Sequence, residues 1–142
     1  MAVRTAKAIW TGDLGSGSGE VSTESGVLDA AYSFSSRFEE GEGTNPEELI
    51  GAALAGCFSM ALSNELAEAG HSPKEVHTTA EVHLAMTDDG PSVSQIDLDC
   101  EAKVGDIDDA TFQNFANGAK EGCPISQALS AVTITLEAKL ID

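Results

Sequence analysis

Residues 44–57 read TNPEELIGAALAGC, and no other stretch constrains the fold as much. Asn45 is suited to cap a helix. Pro46 suits the first helical position, where its missing N–H costs nothing, and Glu47 and Glu48 suit the positive end of the helix dipole. From Leu49 to Leu62 the side chains leave almost no polar side, so the pattern predicts a helix covered all round rather than along one stripe. It should run to about Gly70, where Gly-His-Ser-Pro stops it. Cys57 lies in the middle of this helix. A thiol there is either packing or a protected nucleophile, and the helix alone does not decide between them.

The rest of the chain supplies a sheet to cover it. Residues 2–11, VSTES and VLDAAYSFS carry β-formers separated by the glycine-rich GDLGSGSGE, which predicts three N-terminal strands followed by the loop SRFEEGEG. Three later stretches alternate with period two. Residues 76–86 put Val76, Thr78, Ala80, Val82, Leu84 and Met86 on one face, with Glu75, His77, Thr79, Glu81 and His83 on the other. Residues 94–104 set Ile96, Leu98, Cys100, Ala102 and Val104 against Asp97, Asp99, Glu101 and Lys103, and residues 132–140 align Val132, Ile134, Leu136, Ala138 and Leu140. Half-buried strands of this kind form an antiparallel sheet with one wet face. Asp-Asp-Gly-Pro at 88–91 reads as the turn joining the first two. DDATFQNFANGAKEG reads as a helix ending at Gly122, and a further helix starts at Cys123-Pro124.

The expectation is therefore one α+β domain over residues 1–142, an antiparallel sheet around a long central helix. One sheet face cannot cover a helix that is apolar all round. A second copy of the chain is the expected remedy, in an intimate homodimer.

Composition excludes several classes of function. Seven basic residues against 24 acidic ones give a net charge of −17, which argues against nucleic acid or an anionic membrane as partner. Acids spread along the chain also suit a salty cytoplasm. No apolar run reads as membrane-spanning and MAVRTAKAIW lacks the hydrophobic stretch of a signal peptide, so a cytoplasmic protein is expected. Three cysteines with no closely spaced pair do not make a structural disulfide framework, so any pairing among them points to redox chemistry.

Each cysteine has its own context. Cys100 lies on the inward face of an alternating strand and reads as core. Cys123 follows Gly122 and precedes Pro124, a cap position where backbone N–H groups stabilise a thiolate, or a simple join between helices. Cys57 needs a cation to ionise, because apolar burial raises a thiol's pKa. Only Arg4 and Arg37 are arginines, and Arg37 lies just upstream of the helix. A carboxylate such as Glu47 can aim that arginine through a paired hydrogen bond. Glu47 and Cys57 are separated by a helical rise of about 15 Å, too far for direct contact. Arg37 would have to bridge them, or carboxylate and arginine would come from a second subunit; a site at a dimer interface is the favoured arrangement.

Taken together, STESGVL at 22–28, RFEEGEGTNPEELIGAALAGCFSMAL at 37–62 and EGCPISQAL at 121–129 resemble the osmotically inducible protein C (OsmC) group, in the superfamily that also holds the organic hydroperoxide resistance proteins. The resemblance covers nearly the whole chain in order and length. It implies a cytoplasmic, dimeric, peroxiredoxin-like thiol peroxidase that reduces organic hydroperoxides in oxidative and osmotic stress defence, with no cofactor and no metal. Cys57 would be the attacking thiolate, converted to a sulfenic acid, and Cys123 the resolving thiol that forms the Cys57–Cys123 disulfide. Arg37 would hold the thiolate and polarise the peroxide, and Glu47, rather than Glu48, would orient Arg37. An external dithiol, whether a lipoyl protein, thioredoxin or a small thiol, would complete the cycle. Cap geometry alone would have made Cys123 the first attacker, and the resemblance reverses that preference. An apolar pocket around Cys57 would admit an alkyl or lipid hydroperoxide more readily than hydrated hydrogen peroxide. The strong acidity is the main departure from the group.

Three other readings stay open at this level. A hot-dog thioesterase also wraps a sheet around a helix, but needs no paired cysteines. A redox sensor would use the same disulfide without turnover. A metal or ligand-binding protein would draw on Cys57, Cys123 and a histidine, yet His71, His77 and His83 show no compact ligand spacing and read as surface residues.

Overall fold

The β-formers around Ile9 and Trp10 do pair as strands. The computed structural model describes all 142 residues and divides into two compact units, 1–49 and 50–142. In the first, β1 (Ala6–Thr11), β2 (Ser18–Thr23) and β3 (Asp29–Tyr32) form an antiparallel meander in the order β1-β2-β3. Asp13 closes its first turn, accepting hydrogen bonds from the Ser16 N–H at 2.8 Å and the Ser16 hydroxyl at 2.6 Å. Gly19 pairs with both Trp10 and Tyr32 in the register, and a methyl added there would run into both rings. Because Gly19 has no side chain, those rings meet over β2 with centroids 5.3 Å apart.

The third strand is shorter than VLDAAYSFS suggested, and the segment SRFEEGEG is not all loop. The chain turns after Tyr32 into the one-turn helix α1 (Phe34–Phe38). A capping box causes the turn: the Ser36 N–H donates to Ser33 Oγ, and the Ser33 N–H donates to Ser36 Oγ.

Helix α2 (Pro46–Glu68) starts in the first unit and runs through the second. Its end matches the expectation, with Gly70 at a φ of +90°, a left-handed value that a side chain would resist. Its cover does not. Within the second unit Gly51, Leu54, Phe58, Leu62 and Leu66 are buried, a single stripe of helical period, while Ala52, Ala53, Gly56 and Met60 are exposed. One sheet face can bury only one stripe of a cylinder. The expectation that no apolar run reaches membrane-spanning length also fails: α2 has 23 residues, with a window of mean hydropathy 1.4, and is long and apolar enough by those measures to cross a bilayer. Its buried stripe belongs to the core of its own unit.

That core is built on β4 (Ser72–Thr87), β5 (Gly90–Gly105) and β6 (Thr133–Leu140), in the order β4-β5-β6. Ile96, Leu98, Cys100 and Ala102 of the central strand are buried with the α2 stripe and with Phe112, Ala116 and Ala119 of α3 (Asp109–Gly122). β4 and β5 are antiparallel as expected, but β6 runs parallel to β5. The reason is the long crossover through α3 and α4 (Pro124–Ala128), which returns the chain to the same end of the sheet. Ser94 of β5 is left unpaired where the register shifts between His83 and Leu84, and Met86, near the end of β4, is exposed rather than inward.

Candidate active site

The first unit places Arg37 against Glu47. Short polar side chains make this geometry. The Ser36 hydroxyl donates to the Thr44 carbonyl at 2.8 Å, and the Asn45 amide donates to the Ser36 carbonyl at 3.1 Å. Asn45 Oδ1 in turn accepts the Glu48 N–H at 2.8 Å, the helix cap read from the sequence. Helix α1 is thereby tied to the start of α2. Arg37 Nε donates to Glu47 Oε1 at 3.1 Å and to Oε2 at 3.3 Å, and Nη2 donates to Oε1 at 2.7 Å. The Glu47 side chain is only 9% exposed, so the pair is shielded from water on the carboxylate side. A fork of this kind fixes the guanidinium plane, which also lies 5.3 Å from the Phe38 ring centroid. Glu48 has a separate task, accepting the Thr44 hydroxyl at 2.7 Å.

The second unit places Cys57 against Cys123. Cys57 lies one turn beyond Leu54 on α2 and is half-buried; Cys123 is 1% exposed and caps α4. Their sulfurs are 2.8 Å apart and both thiols are free. Cys123 Sγ also accepts the Ser126 N–H at 3.5 Å. These contacts separate the two thiols electrostatically. Burial pushes the Cys57 thiol above its ordinary range, and the hydrogen bond shared with Cys123 adds to the rise. Burial opposes ionisation of Cys123 too, but the short contact with Cys57 and the N–H groups of Ser126 and Ile125 hold it below the ordinary range. Within the pair, ionisation is disfavoured at Cys57 and favoured at the cap. The buried Ser126 hydroxyl beside it has no hydrogen-bond partner. Cys100, fully buried on β5, has its thiol pushed up to about 11 by burial.

On the outer face of the second sheet, His83 Nε2 lies 2.8 Å from Asp97 and His77 Nε2 lies 3.1 Å from Glu75. Glu81, His83 and Asp97 bring ligand-type atoms within 4.8 Å of one another. Residue spacing missed this group, because the β4–β5 register sets Glu81 opposite Asp97. Asp97 is already engaged, accepting the Thr135 hydroxyl and the Gln95 amide, each at 2.6 Å. His71 packs edge-on to Phe115.

Comparisons with known proteins agree with one another. The family described as OsmC-like protein matches residues 39–137. The chain is 53% identical over 135 residues to Peroxiredoxin OsmC of Escherichia coli (strain K12), covering 94% of each chain. It is 32% identical over 141 residues to the organic hydroperoxide resistance protein OhrB of Bacillus subtilis (strain 168), covering 98% of this chain and all of that one. The crystal structure of B. subtilis OhrB superposes with a TM-score of 0.68 at 26% identity, over 96% of this chain and 98% of that one.

Proposed function

The chain belongs to the OsmC-like protein family, and from that premise we propose that it is a cytoplasmic, homodimeric, peroxiredoxin-like enzyme that reduces organic hydroperoxides to alcohols in oxidative and osmotic stress defence. The observation that carries the reading is the 2.8 Å separation of two free sulfurs, Cys57 and Cys123, whose residues lie 66 apart in the chain. An S–S bond is about 2.05 Å long, so closing the pair needs less than an ångström of approach.

Exposure and charge favour different first attackers. Charge favours Cys123, but its sulfur is buried, whereas Cys57 is half-exposed and can meet a substrate. The attack is assigned to Cys57. Transfer of its proton across the short S···S contact, with the positive charge of Arg37 favouring the result, makes Cys57 the thiolate. Arg37 comes from the same chain or a second copy, and Glu47 holds its fork in the reactive orientation.

The thiolate attacks one peroxide oxygen. An S–O bond forms, the O–O bond breaks, and the alkoxide leaves as an alcohol after taking a proton. Sulfur has given up two electrons and is now a sulfenic acid. Cys123 attacks that sulfur, forming the disulfide and releasing the oxygen as water. An external dithiol, such as a lipoyl protein, thioredoxin or a small thiol, returns both thiols by exchange.

The test mixes pre-reduced protein with one equivalent of cumene hydroperoxide, or separately of hydrogen peroxide, then counts free thiols and maps the bridge by mass spectrometry. A Cys57–Cys123 bond forms faster with the organic peroxide, is absent from Cys57→Ser, and is regenerated by a dithiol over many cycles. Thiols that stay free would end the reading, and a disulfide without repeated turnover would leave only a sensor.

A further inference from the structure

Two helix starts in this chain share one spacing, Ser33-x-x-Ser36 and Cys123-x-x-Ser126, and only the first closes into a box. At α1 the Ser36 hydroxyl receives the Ser33 N–H at 2.8 Å and donates to the Thr44 carbonyl at 2.8 Å. At α4 the first half of the pattern is present, because Cys123 Sγ accepts the Ser126 N–H at 3.5 Å. The second half is not. The Cys123 N–H is already given to the Ala119 carbonyl at 3.0 Å, since α3 runs directly into α4, so no capping N–H is left for Ser126. Its hydroxyl is buried without a hydrogen-bond partner.

Ser126 is also the one buried polar residue of the second unit. A hydroxyl shut away from water and unpaired is destabilising, and alanine would occupy the same place without that penalty. The surroundings leave one acceptor for it. The cluster that buries Cys123 is apolar, Lys120 and Glu121 at the end of α3 are half-buried and exposed, and Cys57 of α2 is the titratable group in contact with Cys123. The Cys123 sulfur is a weak acceptor as a thiol and a strong one as a thiolate. A hydroxyl that is idle beside the thiol therefore gains a bond when Cys123 ionises.

Resting on the peroxidase reading, we infer that Ser126 is a positioning residue for disulfide closure, its hydroxyl donating to the Cys123 thiolate while Cys57 is a sulfenic acid. Burial opposes the ionisation of Cys123, and the contact with Cys57 and the Ser126 groups offset it in the reduced protein. Oxidation of Cys57 removes its thiol from that contact and leaves Ser126 in place. The Cys123 sulfur then attacks the Cys57 sulfur. An S–S bond forms, the S–O bond breaks, and hydroxide leaves and takes a proton to become water. The Cys123 sulfur is oxidised and the Cys57 sulfur reduced, by one electron each. Ser126 transfers no proton, and its hydrogen bond is released as charge leaves the sulfur.

Such a bond has two opposed effects on rate. It raises the thiolate fraction, and it lowers the nucleophilicity of each thiolate by about half as much on a logarithmic scale. The net sign therefore depends on pH. Reduced protein and Ser126→Ala are mixed with one equivalent of cumene hydroperoxide between pH 6 and pH 10 and quenched with acid. Conversion of Cys57 sulfenic acid to disulfide is followed by mass spectrometry, which separates closure from the first attack. Loss of the hydroxyl should move the midpoint of closure up by about one pH unit. Ser126→Ala then closes about threefold more slowly below both midpoints and about threefold faster above them. A packing defect would change the rate in one direction at every pH. Thiolate absorbance at 240 nm in Cys57→Ser, with and without Ser126→Ala, should show the same displacement with no peroxide present. Ser126→Gly serves if Ser126→Ala does not fold. Coincident pH profiles, or a slower closure that never reverses, would overturn the role. A displaced absorbance midpoint in a protein that forms no disulfide would sink the peroxidase reading alone, and normal closure with an undisplaced midpoint would sink the Ser126 assignment alone.

Discussion

Three cysteines of one sequence are three different chemical groups because their neighbours differ. Cys100 is buried in the core with Thr78 opposite it, Cys57 lies 2.8 Å from a second thiol, and Cys123 collects N–H donors at a helix start. Cys100 makes a prediction about pH. Its thiol ionises near 11 in the fold against an ordinary 9.0, so between those values the unfolded chain has lost a proton that the folded chain keeps. Stability from this group is fully present below about pH 9 and falls as pH rises toward 11, by about 2–3 kcal/mol in total. Urea unfolding of the unaltered protein and Cys100→Val at pH 8 and pH 10.5 should show the excess alkaline loss only where the thiol is present. Glu47 makes a prediction about rate. Glu47→Gln keeps the shape but removes the charge that aligns Arg37, and should lower kcat/KM for cumene hydroperoxide about 10–100-fold, the worth of a hydrogen bond to a charged group. Glu48→Gln should remain close to the unaltered protein, since Glu48 serves Thr44 instead. Equal losses from both variants would remove Glu47 from its role.

Among the elements, α2 carries the largest share of the second unit's core, and only along one stripe. Phe58 is fully buried between helix and sheet, so Phe58→Ala should cost about 3–5 kcal/mol in denaturant unfolding. The helix was legible because its cap, dipole partners and stop are all local signals. Helix α1 was not, because one turn has no periodicity to read. The Ser33-x-x-Ser36 box was its only trace, with serine where Glu or Gln is usual. Strand alternation gave the inward residues of β5 correctly. It failed at Met86, which is exposed near the end of β4, and it says nothing about strand direction, which set β6 parallel.

For the molecule as a whole, what α2 leaves uncovered outweighs what it buries. Met60 is 76% exposed beside Ala52, Ala53 and Gly56, a small-residue face open to close packing. The proposed homodimer would cover it. Met60→Glu places a charge on that face and should shift sedimentation from about twice the 14.6 kDa chain mass toward the single chain. A single-chain mass in the unaltered protein would refute the dimer.

By itself the sequence determined the α+β class, the capped start and glycine stop of α2, the core role of Cys100 and the cap position of Cys123. Those follow from periods of 3.6 and 2 residues and from hydrogen bonds between near neighbours, which a linear reading contains. Only the tertiary structure decided that the sulfurs of Cys57 and Cys123 touch, that Arg37 takes Glu47 and leaves Glu48 to Thr44, and that the Ser126 hydroxyl is buried without a partner. Adjacent glutamates are alike in the dipole field of a helix start and are told apart only by which way each points. Residues 66 apart meet only when a parallel crossover brings them back, and that closure is set by packing free energy summed over the whole core, which no local window contains.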